Sequence, residues 1–249
     1  MLSGKKRRSI FSHPTMRKPV VGVMGASLND ALTDSDRSRI GMLAEELGGA
    51  IARAGCLLMT GATTGIPHLV STAFRRHGGF ALGVSPAENR CEHVERYRLP
   101  DDGADAIIYT GFGYKGRNLI NVRSSDIVLL MGGATGTLNE FTIAYDEGKI
   151  VGVLDGSGGV SDHVREIIEF CKKPTQGSVL YDRDPAKLVE RCVEALHDPT
   201  EPRGFKKRPG SLSQAFLEFS PQLIQDGCPC GARERPCCDL TRVFNCSFC

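Results

Sequence analysis

Short apolar runs alternate with segments of helical spacing from residue 18 to residue 196, and this alternation restricts the fold more than any other feature. Residues 20–24, 56–60, 80–84, 106–109, 126–131, 150–154 and 178–181 have the length and the aliphatic, β-branched content of strands. Residues 35–54 carry Ile40, Leu43, Leu47 and Ile51 at intervals of three and four, the spacing of one buried helix face. Helices are also predicted up to about residue 77, ending over 118–124, and over 137–147, 160–171 and 185–196. Strand–turn–helix repeated this often implies parallel strands with right-handed crossovers: an α/β fold, a Rossmann-like doubly wound parallel sheet in three layers. Ligands of such sheets sit at the carboxyl ends of the strands. The loops after Met24, Thr60 and Met131 occupy such ends, and all are rich in Gly, Ser and Thr.

A phosphate is held by backbone N–H groups converging at a helix N-terminus, where the helix dipole adds positive charge and Gly permits close approach. The stretch Gly132-Gly133-Ala134-Thr135-Gly136-Thr137 follows a strand and opens a helix, as this requires. It is no Walker loop, since no Lys follows the last Gly. Nor is it the dinucleotide fingerprint, which belongs to the first strand–helix turn of its unit. The candidate phosphate or nucleotide ligands are Gly25, Ser27, Gly61, Thr63, Thr64, Gly65, Gly132, Gly133, Thr135, Gly136 and Thr137. A ligand-free alternative stands beside this one. Thr137-Leu138-Asn139-Glu140 fits a capping box, in which Glu140 merely accepts the Thr137 amide.

The order Arg117-Asn118, Asp126, Gly132-Gly133-x-x-Gly136-Thr137-x-x-Glu140 resembles the signature of the Lonely Guy superfamily. That signature is an Arg-Lys pair on a helix, an Asp nine residues after the Arg, and a P-G-G-x-G-T-x-x-E loop. Residues 61–65, Gly78-Gly79 and Val84-Ser85-Pro86 resemble the superfamily's second glycine loop and following strand, and the likeness covers residues 18–196. The resemblance implies hydrolysis of the N-glycosidic bond of a nucleoside 5′-monophosphate, giving free base and ribose 5-phosphate. It implies Arg117 and Glu140 as catalytic residues, Asn118 and the glycine loop around the phosphate, no cofactor for the reaction, and a homodimer whose partner completes the site. The chemistry suits the residues. Cleavage builds positive charge on the ribose, which a carboxylate stabilises, while a guanidinium engages phosphate or the leaving group.

The departures are Gly132 for the Pro, Ala134 for the second Gly of that loop, Asn118 for the Lys and Asn139 for the first Glu of a Glu-Glu pair. They are more similar to a sister branch that includes molybdenum cofactor carrier proteins. The alternative is therefore a non-catalytic carrier of a phosphate-bearing pterin. Lysine decarboxylation is rejected, since no motif sets a Schiff-base lysine against a pyridoxal phosphate site.

Outside this body the chain reads differently. Residues 1–17 form a basic leader with no acidic residue before Asp30, read as a solvated leader, a nuclear-type cluster or a transit peptide. Residues 197–227 read as a Pro-rich linker, and 228–249 as a Cys-rich tail. Cys228, Cys230, Cys237, Cys238, Cys246 and Cys249 are candidate ligands for a structural zinc, although only Cys246-x-x-Cys249 has the preferred spacing. A flexible thiol-rich appendage is the alternative. With 31 basic and 29 acidic residues the net charge of +2 argues against nucleic acid as a partner. The apolar run 127–131 falls far short of a membrane span. A cytoplasmic, reducing location is expected. His68 and the pair Tyr109 and Tyr114 are lesser candidates for reaching a ligand; surface position and packing explain them equally well. Cys56 and Cys91 read as core or surface thiols.

Overall fold

The computed structural model describes residues 17–27 and 33–198. The six tail cysteines, most of the leader and most of the linker lie outside the described residues. The chain divides into two units, Met1–Phe205 and Lys206–Cys249, and every described residue belongs to the first.

The strands are β1 (Val20–Gly25), β2 (Leu57–Thr60), β3 (Ala81–Ser85), β4 (Ala106–Tyr109), β5 (Ile127–Met131), β6 (Ile150–Leu154) and β7 (Val179–Asp182). The helices are α1 (Asp34–Arg53), α2 (Ile66–Arg76), α3 (Gly113–Ser124), α4 (Thr135–Asp146), α5 (Gly159–Cys171) and α6 (Pro185–His197). The expected strands and helices are present, with ends shifted by a residue or two. A π-helical turn at Glu92–Arg96 was not expected. All strands are parallel, in the order β4-β3-β2-β1-β5-β6-β7.

Two apolar layers sandwich the sheet. Val21 and Val23 of β1 and Ile127, Leu129 and Met131 of β5 pack with Ile40, Leu47 and Ile51 of α1, Phe74 of α2 and Leu188 of α6. Met24, Val128 and Leu130 point the other way, onto Val122 of α3, Phe141 of α4 and Val164 of α5. Alternate residues of β5 thus enter opposite cores, which is why its sequence is an unbroken apolar run. Among the described residues no helix is long and apolar enough to cross a membrane.

β1 leads into a helix on one face and β5, its hydrogen-bonded neighbour, into a helix on the other. The chain therefore diverges at the carboxyl ends of these two strands, and a crevice opens there. Asp126 lies at the opposite end of β5. Its carboxylate accepts the Val20 amide at 2.9 Å and both terminal nitrogens of Arg17 at 2.6 Å. The Asp of the recognised signature is thus a clasp at the amino ends of β1 and β5, away from the crevice.

Burial pushes the Asp126 carboxyl up, but Arg17, the Val20 amide and Lys149 outweigh it and hold the group below its ordinary 3.8. A depressed carboxyl stabilises the fold above the unfolded-state pKa and loses that contribution as pH falls through the folded value. Asp126→Ala is therefore expected to cost about 1.5–3 kcal/mol in urea unfolding at pH 7. The difference from wild type should shrink as the pH is lowered below about 4.

Candidate functional site

The turn between β5 and α4 is shaped by its glycines. Gly132 and Gly133 both have positive φ, +62° and +107°, a region that favours glycine. The turn is tied down from the side. The Gly132 amide donates to Ser157 Oγ at 2.8 Å, and the Gly132 carbonyl accepts from Ser161 Oγ at 2.8 Å and from its amide at 3.0 Å. The Gly132 amide, expected to face a phosphate, is therefore engaged within the protein.

α4 begins at Thr135, with Ala134 as its N-cap and no side-chain cap. The amides of Thr135, Gly136 and Thr137 have no intrahelical acceptor, and the positive end of the helix dipole coincides with them. The capping-box alternative fails on this geometry: Thr137 lies inside the first turn rather than at its head. Glu140 turns instead to α3, where its Oε1 accepts from Arg117 Nη1 at 2.9 Å.

That ion pair is buried, with the two side chains only 8% and 6% exposed. Burial raises the Glu140 carboxyl above its ordinary value, against the pull of Arg117, Asn121 and Lys115. The flat face of the guanidinium lies against Gly61. A Cβ at this position would stand 2.3 Å from the guanidinium carbon. Gly61, expected as a phosphate donor, gives Arg117 the room it needs and does not line the cleft described below.

One residue after Arg117 on α3 and one before Glu140 on α4, Asn118 Nδ2 donates to Asn139 Oδ1 at 2.8 Å. The two Asn replacements noted in the sequence are thus partners in one contact, a neutral amide bridge beside the ionic one. Asn121, one turn after Arg117, is fully buried, and its Nδ2 lies 3.3 Å from Met24 Sδ. Asn121 Oδ1 and Arg117 Nε have no hydrogen-bond partner among the described residues. Sequence reasoning passed over Asn121; its spacing of four from Arg117, on one helix face, was the available signal.

Arg117 and Glu140 border a cleft of about 370 Å³, lined also by Gly25, Ala26, Ser27, Thr63, Tyr114, Lys115, Asn118 and residues 134–137. Its volume falls in the range of small-molecule sites, roughly 300–1,000 Å³. Lys115, a second residue the sequence did not single out, places its Nζ 3.5 Å from the Thr135 carbonyl. An adjoining cleft of about 390 Å³ shares Ala26, Ser27 and Ala134 and is lined by Gly132 and Gly133. The cleft therefore gathers Gly25, Ser27, Thr63, Arg117, Asn118, Thr135, Gly136, Thr137 and Glu140 from the sequence candidates.

Other candidates stand elsewhere. Thr64 is exposed and does not line the cleft, and Gly65 serves as the N-cap of α2. His68 faces a small void beside Gly103 and lies 3.9 Å from Asp102. Tyr109 packs edge-on against His93. Cys56 is buried and Cys91 exposed. Among the described residues, no group of three or more His, Cys, Asp or Glu side chains could hold a metal ion.

Comparison with known proteins places this geometry. The family model of the SLOG cluster4 family matches residues 18–189. An uncharacterized protein of Archaeoglobus fulgidus is 32% identical over 162 residues, 63% of this chain and 96% of that protein. A cytokinin riboside 5′-monophosphate phosphoribohydrolase of Mycobacterium marinum is 32% identical over 121 residues, 48% of this chain and 61% of the relative's length. Among solved structures, the molybdenum cofactor binding protein of Rippkaea orientalis superposes with a TM-score of 0.58 at 29% identity. That superposition covers 74% of this chain and 100% of the other.

Independent of these likenesses, Gly61→Ala is expected to leave the fold intact, because the atoms it meets are the far end of a long side chain. The guanidinium must retreat by about 1 Å to reach ordinary contact distance. A crystal structure of the variant should show the 2.9 Å contact to Glu140 broken.

Proposed function

The chain belongs to the SLOG cluster4 family, and we propose that it binds a nucleoside 5′-monophosphate and hydrolyses its N-glycosidic bond. The observation that carries this reading is the Arg117–Glu140 pair set beside the uncapped first turn of α4 in one open cleft. The amides of Thr135, Gly136 and Thr137, with Lys115 above them, supply what a phosphate monoester needs: oriented donors and positive charge. With the phosphate there, Glu140 stabilises the charge that develops on the ribose and takes a proton from the attacking water. Arg117 orients that carboxylate and stabilises negative charge on the departing base. Water adds to C1′ as the C1′–N bond breaks, and the base leaves with the proton. The phosphoribohydrolase relative supports this reading, over less than two thirds of its own length.

A second reading is favoured by the Asn118–Asn139 bridge. It puts two neutral amides where the Lonely Guy pattern has a Lys and a Glu, and it agrees with the likeness to a molybdenum cofactor binding protein. On that reading the cleft holds a phosphate-bearing pterin without turning it over. Assay of AMP and cytokinin nucleotides for free base separates the two. Base release that falls by at least about 10²-fold in Glu140→Gln supports hydrolysis. Its acid limb should lie above the ordinary carboxylate range, because burial raises Glu140 and the base must be ionised. Pterin phosphate binding with no release of base from any nucleotide supports the carrier.

We further propose that the protein acts as a homodimer. Ile108 of the edge strand β4 and Phe112 and Leu119 at α3 are exposed large apolar side chains, which burial against a second copy would remove from water. Sedimentation equilibrium of the purified chain should give twice 26.9 kDa, and Phe112→Glu should shift it to the monomer.

A further inference from the structure

Tyr114 stands in the wall of the cleft with its side chain unoccupied by any function assigned above. It precedes Arg117 by three residues on α3, so the two side chains leave the helix on the same side. The residue is 46% exposed, although it lines a concave site rather than an outer surface. Burial and Tyr97 push its hydroxyl pKa up against the pull of Arg117, so the ring lies within the field of that guanidinium and stays neutral.

The ring is also buttressed. Tyr97 meets it edge to face, with centroids 5.4 Å apart and planes at 83°, and Arg96 lies 5.7 Å from the Tyr97 centroid. Tyr97 follows directly on the π-helical turn Glu92–Arg96, whose buried His93 is fixed at both ring nitrogens. The Pro100 carbonyl, 3.0 Å from Nε2, can only accept, so Nε2 carries a proton, and Nδ1 lies 2.8 Å from the Ser85 hydroxyl oxygen. A rare helical form, a locked imidazole and an edge-on tyrosine together hold one half-exposed ring against a phosphate-sized cluster of donors.

We propose that Tyr114 is the platform on which a planar nitrogen heterocycle of the ligand stacks while the ligand's phosphate sits at the first turn of α4. The proposal rests on the phosphate-binding reading above and holds whether or not turnover follows. It assigns the ligand to the class of phosphate esters carrying an aromatic heterocycle and excludes simple sugar phosphates as the preferred ligand. A stacked base contributes enough to tighten binding roughly 5- to 150-fold.

Calorimetric titration of the full chain with two probes tests this. Carbocyclic AMP carries phosphate and adenine, and its lack of a ring oxygen protects it from hydrolysis; ribose 5-phosphate carries the phosphate alone. Carbocyclic AMP should bind roughly 5- to 150-fold more tightly. Tyr114→Ala should abolish that preference while leaving ribose 5-phosphate affinity unchanged, which also shows that the variant is folded. Tyr114→Phe, which keeps the ring, should restore the preference. Equal binding of the two probes to wild type, or a preference that survives Tyr114→Ala, overturns the platform and leaves the phosphate site standing. Failure of both probes to bind overturns the phosphate reading itself, and the platform with it.

Discussion

The parallel pairing of β1 with β5 is the constraint from which the site follows. Their register, Val21 opposite Ile127 through Gly25 opposite Met131, brings both strands to an end at the same level. Because the helices that follow lie on opposite faces, no crossover covers the gap between them. The glycine turn, the open amides of α4 and the small residues Ala26 and Ser27 border that gap because the chain must leave both strands there. Burial of β5 on both sides holds the arrangement rigid.

Within that frame the electrostatics are asymmetric. A buried ion pair is costly unless each partner is well bonded, and the Arg117–Glu140 pair is incompletely bonded: Arg117 Nε has no partner among the described residues. The neighbouring Asn118–Asn139 bridge joins the same two helices without charge. At the cleft, α3 and α4 are thus joined side by side by an ionic and a neutral side-chain pair. Removing charge from the second pair concentrates the field of the cleft on Arg117, Glu140 and Lys115. A polar group left short of partners in a ligand-sized space is a reason to look for chemistry there rather than for stability alone.

Much of this was legible in the sequence because the signals were local. The strands are short and aliphatic, and the functional loops are glycine turns at their ends. What escaped depended on tertiary placement. The start of α3 was missed because Gly113 and Gly116 are poor helix formers and its first turn has no side-chain cap. The π-helical turn lies in a polar stretch without apolar rhythm, and its buried residue, His93, is fixed by Ser85 and Pro100, which periodicity cannot reveal. Gly61 read as a phosphate ligand because a glycine loop looks the same whether its backbone meets a ligand or a side chain. The capping box, likewise, was a sound local pattern that lost to the contact between two helices.

Asp126 bears on how kinship is judged. Its spacing from Arg117 helped to identify the superfamily, yet it fastens the far end of the strand that the site stands on. Part of such a signature therefore records scaffolding and part records chemistry, and the two are free to diverge. Two homologues can preserve the clasp because both must build the same strand, while the residues at its other end are exchanged in pairs. Sorting a lineage by the clasp groups proteins by architecture; sorting it by what faces the gap groups them by trade.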